Sequence, residues 1–135
     1  METNQNPIES AKAQIGSIAY KTIVTSGGHT IIADEPESLA GGDTGMNPYS
    51  LLLASLGSCT AITLRMYITR KMWVVSDITV NLNLFKTDKG VSIERQLAFT
   101  GELTDEQKNR MLQIANACPI HKILVGSIEI ETALA

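Results

Sequence analysis

Two cysteines and two histidines, Cys59, Cys118, His29 and His121, are the side chains whose types and spacing could support chemistry in this 135-residue chain. Cys118 directly precedes Pro119. If that proline is the first residue of a helical turn, Cys118 takes the N-cap position. There the unpaired backbone N–H groups and the positive end of the helix dipole stabilise a thiolate. His121 and Lys122 follow within one turn and add positive charge. Cys59 lies in a long apolar run, where a free cysteine ordinarily packs as a small hydrophobe. A buried cysteine plus an activated one is compatible with a redox pair, although their separation in sequence does not show that they meet.

Other chemistries have weaker support. Cys118-x-x-His121 has ligand-like spacing, and Cys59 and His29 could complete a four-ligand metal set, but only one pair has a recognisable spacing. No metal and no cofactor is expected. A Cys–His hydrolytic pair lacks an oxyanion-hole motif or an orienting Asn. The loop Gly41-Gly42-Asp43-Thr44-Gly45 lacks the Gly-Lys-Ser/Thr ending of a phosphate loop, and Asp43 would repel an anion. Arg65, Arg70 and Arg95 read as solvated or paired side chains, and Met66, Met72 and Met111 as core filler.

Composition bounds the class. The length suits one domain. Hydrophobic residues are 44% and charged residues 19%, with a mean hydropathy of +0.07, which argues against disorder and hints at apolar surface hidden in a partner. Eleven Lys plus Arg against fourteen Asp plus Glu give a net charge of −3, the wrong sign for a nucleic-acid surface. Two cysteines are too few for a disulfide scaffold. The polar start shows no secretory signal, so the cytoplasm is the expected location, where thiols stay reduced until a reaction oxidises them.

The elements that must position these residues follow from periodicity. Residues 1–14 read as a polar N-terminal arm, mobile or forming a short edge segment. A strand is expected over Ile15–Thr25, a turn at Gly27-Gly28, a return strand over His29–Ala33, and a long acidic loop over Asp34–Met46. Asn47-Pro48 announces a helix running to about Lys71. From Leu51 to Ile68 its only charge is Arg65, and apolar residues fall on every side. Such a helix either spans a membrane or is buried all round. Gly57, Ser55, Ser58, Thr60 and Thr63 dilute the run and the flanks lack aromatic belts, so no membrane is expected. A small domain cannot easily wrap such a helix, which calls for a second copy of the chain. Alternation of Ile78, Val80, Leu82 and Leu84 predicts a half-buried strand, with a turn at Asp88-Lys89-Gly90 and an antiparallel return over Val91–Gly101. Thr104 to Gln107 has capping-box spacing and opens a helix burying Met111, Leu112 and Ile114. Ile120–Val125 forms a further turn or two, and Ile128–Thr132 a last short strand. The order gives an α+β domain with an antiparallel sheet.

The run from Gly45 to Tyr67, Gly-Met-Asn-Pro-Tyr-Ser-Leu-Leu-Leu-Ala-Ser-Leu-Gly-Ser-Cys-Thr-Ala-Ile-Thr-Leu-Arg-Met-Tyr, together with Cys-Pro-Ile-His-Lys at 118–122, resembles the OsmC/Ohr family of thiol peroxidases. The likeness takes in Gly28-His29, Ala33-Asp34-Glu35-Pro36 and Trp73, and thus about residues 15–132. The resemblance implies a single OsmC-like domain over 15–135: an antiparallel sheet wrapped around a long central buried helix, in an intertwined homodimer with its active sites at the subunit interface. It also implies that Cys59 is the peroxidatic thiolate and Cys118 the resolving thiol. Cys59 would attack an organic hydroperoxide to give a sulfenic acid and an alcohol, Cys118 would condense with it to a disulfide, and an external dithiol reductant would restore the pair.

The sequence departs from the family pattern at two places. Efficient hydroperoxide reductases of the family carry a glutamate just after the Asn-Pro and an arginine from the N-terminal strand region. Here Tyr49 and Ser50 follow Pro48, no arginine precedes Arg65, and Lys12 and Lys21 are the upstream basic residues. Lysine supplies charge without the planar fork of arginine. Two readings therefore stand: a cysteine-based organic hydroperoxide reductase in oxidative stress defence, or a non-catalytic dimeric relative that binds a small apolar ligand in the interface pocket. For the first, a pocket around Cys59 lined by Leu52, Leu56 and Met66 is expected to favour bulky organic peroxides over hydrogen peroxide.

Overall fold

Asn47 and Pro48 start the longest element of the chain, where the sequence places it. In the computed structural model, which describes residues 6–135, the Asn47 carboxamide accepts from the Ser50 N–H at 2.8 Å and helix α1 runs Pro48–Lys71. Its end is a left-handed cap: Met72 has φ 58°, and the Trp73 N–H returns to the Ile68 carbonyl at 3.1 Å, which satisfies an otherwise orphaned group. The chain forms two compact units, residues 1–51 and 52–135.

In the first unit, β1 (Lys12–Ile15), β2 (Thr22–Ser26) and β3 (His29–Ala33) form an antiparallel sheet in the order β1-β2-β3. Gly27 and Gly28 take positive φ of 57° and 79° in the β2–β3 turn. Beyond β3 the acidic loop is anchored by buried Asp34, whose carboxylate accepts from the Glu35 N–H at 2.8 Å and from the Thr44 N–H and hydroxyl. The Thr44 hydroxyl is the main cause holding the Asp34 pKa below its ordinary value. A short 3-10 turn, Glu37–Leu39, lies within this loop.

In the second unit, β4 (Val75–Thr87) and β5 (Gly90–Gly101) form a long hairpin. One face carries the cross-strand pairs Ile78–Phe99, Val80–Leu97, Leu82–Arg95 and Leu84–Ile93. Helix α2 (Asp105–Ala115) opens with a complete Thr104–Gln107 capping box, and α3 (Pro119–Val125) follows with Cys118 at its N-cap. Leu64, Tyr67, Ile68, Val75, Met111 and Ala115 make the core, where Tyr67 meets Trp73 edge to face at 5.5 Å. Gly57 lets the helix approach the hairpin, since a Cβ there would lie 2.7 Å from Leu82 Cδ1.

The fold is thus the expected α+β arrangement of antiparallel sheets and a long helix. The burial of α1 is one-sided within the chain. Leu56, Thr60, Leu64, Tyr67 and Ile68 are buried, whereas Ile62 and Met66 are 54% and 66% exposed. By length and composition α1 is also apolar enough to cross a membrane, yet Leu64 and Ile68 are fully enclosed by protein.

Several local expectations change. The strand expected over Ile15–Thr25 is divided: Ile15 closes β1, and residues 16–21 connect it to β2. Lys12–Gln14 pair along β2, so that part of the arm is a short edge strand, while residues 1–5 of the arm lie outside the described residues. Ile128–Thr132 alternates in sequence but forms no strand, because among the described residues no neighbouring strand pairs with it. Met111 is core, but Met66 and Met72 are exposed, as is Leu112 on α2; the chain's own hairpin leaves those faces uncovered.

Candidate active site: a thiol pair beside an arginine-floored cavity

Helix α1 delivers Cys59 and Thr60, β5 delivers Arg95, the end of α2 delivers Asn116, and the start of α3 delivers Cys118 and His121. Both cysteines are free thiols; Cys118 is fully buried and Cys59 half-buried. The Cys118 sulfur stands 4.0 Å from the hydroxyl of Thr60, the residue next to Cys59, and each thiol shifts the ionisation of the other. Sequence distance could not establish that proximity; the contact of Thr60 on α1 with the N-cap residue of α3 does.

The two thiols are polarised in opposite senses. Burial pushes the Cys59 pKa up, and its hydrogen bond to Cys118 pushes it further, against the Ile120 amide and the Thr63 hydroxyl. Burial also opposes ionisation of Cys118. The hydrogen bond from Cys59, the first-turn amides of His121 and Ile120 and the Thr60 hydroxyl outweigh it, and its pKa falls. The sulfur makes no capping hydrogen bond of ordinary length, so the N-terminal amides act on it by proximity. Of the two thiols, Cys118 is therefore the more readily ionised and Cys59 the less.

Arg95 occupies an inward position of the hairpin, in the alternation Ile93, Arg95, Leu97, Phe99. It is paired rather than solvated. Nη1 donates to the Thr60 hydroxyl at 3.0 Å, and Nη2 donates to Asn116 Oδ1 at 3.0 Å and to His121 Nδ1 at 3.1 Å. A guanidinium only donates, so Nδ1 of His121 must accept, which places its proton on Nε2. Burial, and then the Arg95 charge, hold the His121 pKa below its ordinary value. The imidazole is thus a neutral acceptor.

Thr60 couples this arginine to the thiols. Its hydroxyl donates to the Leu56 carbonyl at 2.7 Å and also stands 4.0 Å from the Cys118 sulfur. A hydroxyl has one proton to donate. That proton faces both the Leu56 carbonyl and the Cys118 sulfur, and its approach to sulfur favours the thiolate.

Beside these residues lies a cavity of about 530 Å³. Its walls include Leu52, Leu56, Val91, Ile93, Leu112 and Leu124, and its polar groups are Arg95, Asn116 and His121. Leu52 and Leu56 line this cavity, but neither Cys59 nor Cys118 does, so it is not the pocket around Cys59 that the sequence predicts; Met66 borders a separate hollow with Arg65 and Ile78. Arg65 itself is paired with the Val75 and Ser76 carbonyls. His29 opens β3 opposite Ser26 and is exposed. Among the described residues no three His, Cys, Asp or Glu side chains are grouped to hold a metal. Nothing in the sequence alone marks Arg95, Thr60 and Asn116 as site residues. The available signal was a lone charge in the inward register of an otherwise apolar strand face.

Residues 41–133 match the family described as OsmC-like protein. The chain belongs to that family. Its fold is shared with an OsmC-like protein from Mycoplasma pneumoniae (TM-score 0.76, 17% identity, 90% of each chain covered). It is also shared with an organic hydroperoxide resistance protein OsmC from Legionella pneumophila (TM-score 0.63, 22% identity, 92% of this chain and 93% of that one). A third similar structure is the organic hydroperoxide resistance protein OhrB of Bacillus subtilis (TM-score 0.60, 24% identity, 87% and 90%). No curated protein matches the chain in sequence.

Proposed function

We propose that this protein is a cytoplasmic, homodimeric thiol peroxidase that reduces organic hydroperoxides, with Cys59 as the attacking thiol and Cys118 as the resolving one. The observation that carries the reading is the placement of the Cys118 sulfur 4.0 Å from the residue that follows Cys59, with Cys118 the more readily ionised and Cys59 the more accessible of the pair. The family and the names of the Legionella and Bacillus proteins are in keeping with a redox and stress role.

Access assigns Cys59 to the peroxide and charge assigns Cys118 as its base. As the Cys59 sulfur attacks the distal peroxide oxygen, its proton passes to Cys118 and the O–O bond breaks. The departing alkoxide takes a proton back from Cys118, so Cys59 becomes a sulfenic acid, an alcohol leaves, and Cys118 is again a thiolate. Cys118 then displaces hydroxide from the Cys59 sulfenic acid, forming a disulfide, and hydroxide takes a proton to leave as water. An external dithiol reduces the disulfide by exchange and is itself oxidised. The exposed Ile62 and Met66 on α1 support a second copy covering that face.

A second reading, a non-catalytic protein that holds a small apolar ligand, draws support from the mainly apolar cavity. A coupled assay with cumene hydroperoxide and a small dithiol separates them. Turnover lost in Cys59→Ser supports the peroxidase, and its absence from the unaltered protein refutes it.

A further inference from the structure

We infer that the cavity between the hairpin, α2 and α3 is a binding site for a small amphipathic carboxylate, its apolar tail against the cavity wall and its head group on Arg95. The cavity, about 530 Å³, lies within the range of roughly 300–1,000 Å³ that small-molecule sites occupy, with apolar walls and few convergent polar groups. The wall residues Leu52, Val91, Ile93, Leu112, Leu124 and Val125 supply alkyl contacts.

The head-group chemistry is set by Arg95. Among the described residues it is the one charged side chain lining the cavity, on an otherwise apolar face of β5, and its three hydrogen-bond partners, Thr60, Asn116 and His121, are all neutral. A partly buried charge whose hydrogen-bond partners are all neutral has no counter-charge in direct contact to offset its desolvation. These bonds leave Nε–H and a second Nη1–H uncommitted on different sides of the guanidinium, and a carboxylate can accept either one in a charge-assisted hydrogen bond. Asn116 and His121 also line the cavity, and each has a donor to spare: the Asn116 amide, and the Nε2–H that His121 retains because its Nδ1 accepts from Arg95. The polar end therefore presents donors to an anion, and a cationic head group would meet the guanidinium charge.

The site does not depend on the thiol reaction. Calorimetric titration of the full-length protein with decanoate, 1-decanol and decylamine tests it. Decanoate should bind about tenfold or more tightly than 1-decanol, given the strength of charge-assisted hydrogen bonds. Decylamine should bind weakest, and added salt should narrow the decanoate preference. Arg95→Gln should remove that preference. Should this variant fold poorly, the three-ligand ranking and its salt dependence in the unaltered protein still decide. Cys59→Ser, which abolishes turnover under the proposed function, should bind decanoate as the unaltered protein does, so the two readings fail separately. Equal affinity for decanoate and 1-decanol, preference for decylamine, a preference unchanged in folded Arg95→Gln, or no binding of any ligand because a second copy fills the cavity would each overturn the inference.

Discussion

Arg95 Nη1 donates to Thr60 Oγ1 at 3.0 Å, and that hydroxyl stands 4.0 Å from the Cys118 sulfur. One threonine on α1 thus connects a guanidinium on β5 to a thiol at the start of α3. Because Arg95 polarises the hydroxyl, Thr60 is a better donor to a thiolate than an isolated threonine.

Replacing Thr60 with valine keeps the shape and removes the relay. Cys118 should ionise at higher pH, followed through thiolate ultraviolet absorbance in a Cys59→Ser background. Stability should drop by about 1–3 kcal/mol, the worth of a hydrogen bond to a charged donor. Thr60→Ser should retain most of both properties. An unchanged Cys118 titration in Thr60→Val contradicts the relay.

The contact at Gly57 makes a steric prediction. Alanine brings a Cβ to 2.7 Å from Leu82 Cδ1, the mobile end of a side chain. The better helix propensity of alanine, about 1 kcal/mol, offsets much of that strain, and Gly57→Ala should remain within about 1 kcal/mol of the parent. Gly57→Val crowds the hairpin further and should cost about 2–3 kcal/mol in urea denaturation. A valine variant as stable as the parent would show that helix and hairpin do not approach this closely.

His121 gives a pH dependence with a fixed sign. Its pKa is depressed in the folded protein by burial and by Arg95, so the unfolded chain binds the proton more tightly. The stability it contributes is fully present above the unfolded value of about 6.5 and is lost as pH falls through the lower folded value. Protonation also converts Nδ1 from an acceptor into a donor facing Arg95. Thermal melts between neutral and mildly acidic pH should show this loss, and His121→Asn should flatten it. A His121→Asn profile as steep as the parent's contradicts the assignment.

The legibility of these features follows from where their signals lie. Helix α1, its Asn47 cap, the Thr104–Gln107 capping box and the β4–β5 hairpin are encoded in residues a few positions apart, and the sequence reading locates them. The Arg95 cluster is assembled from Thr60, Asn116 and His121 on separate elements, and nothing near Arg95 in sequence reveals those partners. Ile128–Thr132 fails for a related reason: apolar alternation marks a strand face but supplies no neighbour to pair with. The N-cap position of Cys118 was legible from Pro119, whereas its approach to Cys59 required the tertiary packing.

The exposed stripe of α1 predicts self-association. Ile62 and Met66, four residues apart on one helix face and more than half exposed, need cover that a single chain does not supply. Sedimentation at micromolar concentration should give a dimer, and Ile62→Glu with Met66→Glu should weaken it. A folded monomer of the unaltered protein would contradict this.

The most direct test of the central claim is the fate of the two thiols after one equivalent of cumene hydroperoxide without reductant, read by mass spectrometry. The unaltered protein should lose both thiols and yield a single Cys59–Cys118 disulfide. The Cys118→Ser variant should trap a sulfenic acid on Cys59 that excess peroxide drives to higher oxides. If instead Cys59 remains reduced in Cys118→Ser while oxidation falls on exposed methionines such as Met66 and Met72, the thiol pair is not the site of peroxide reduction.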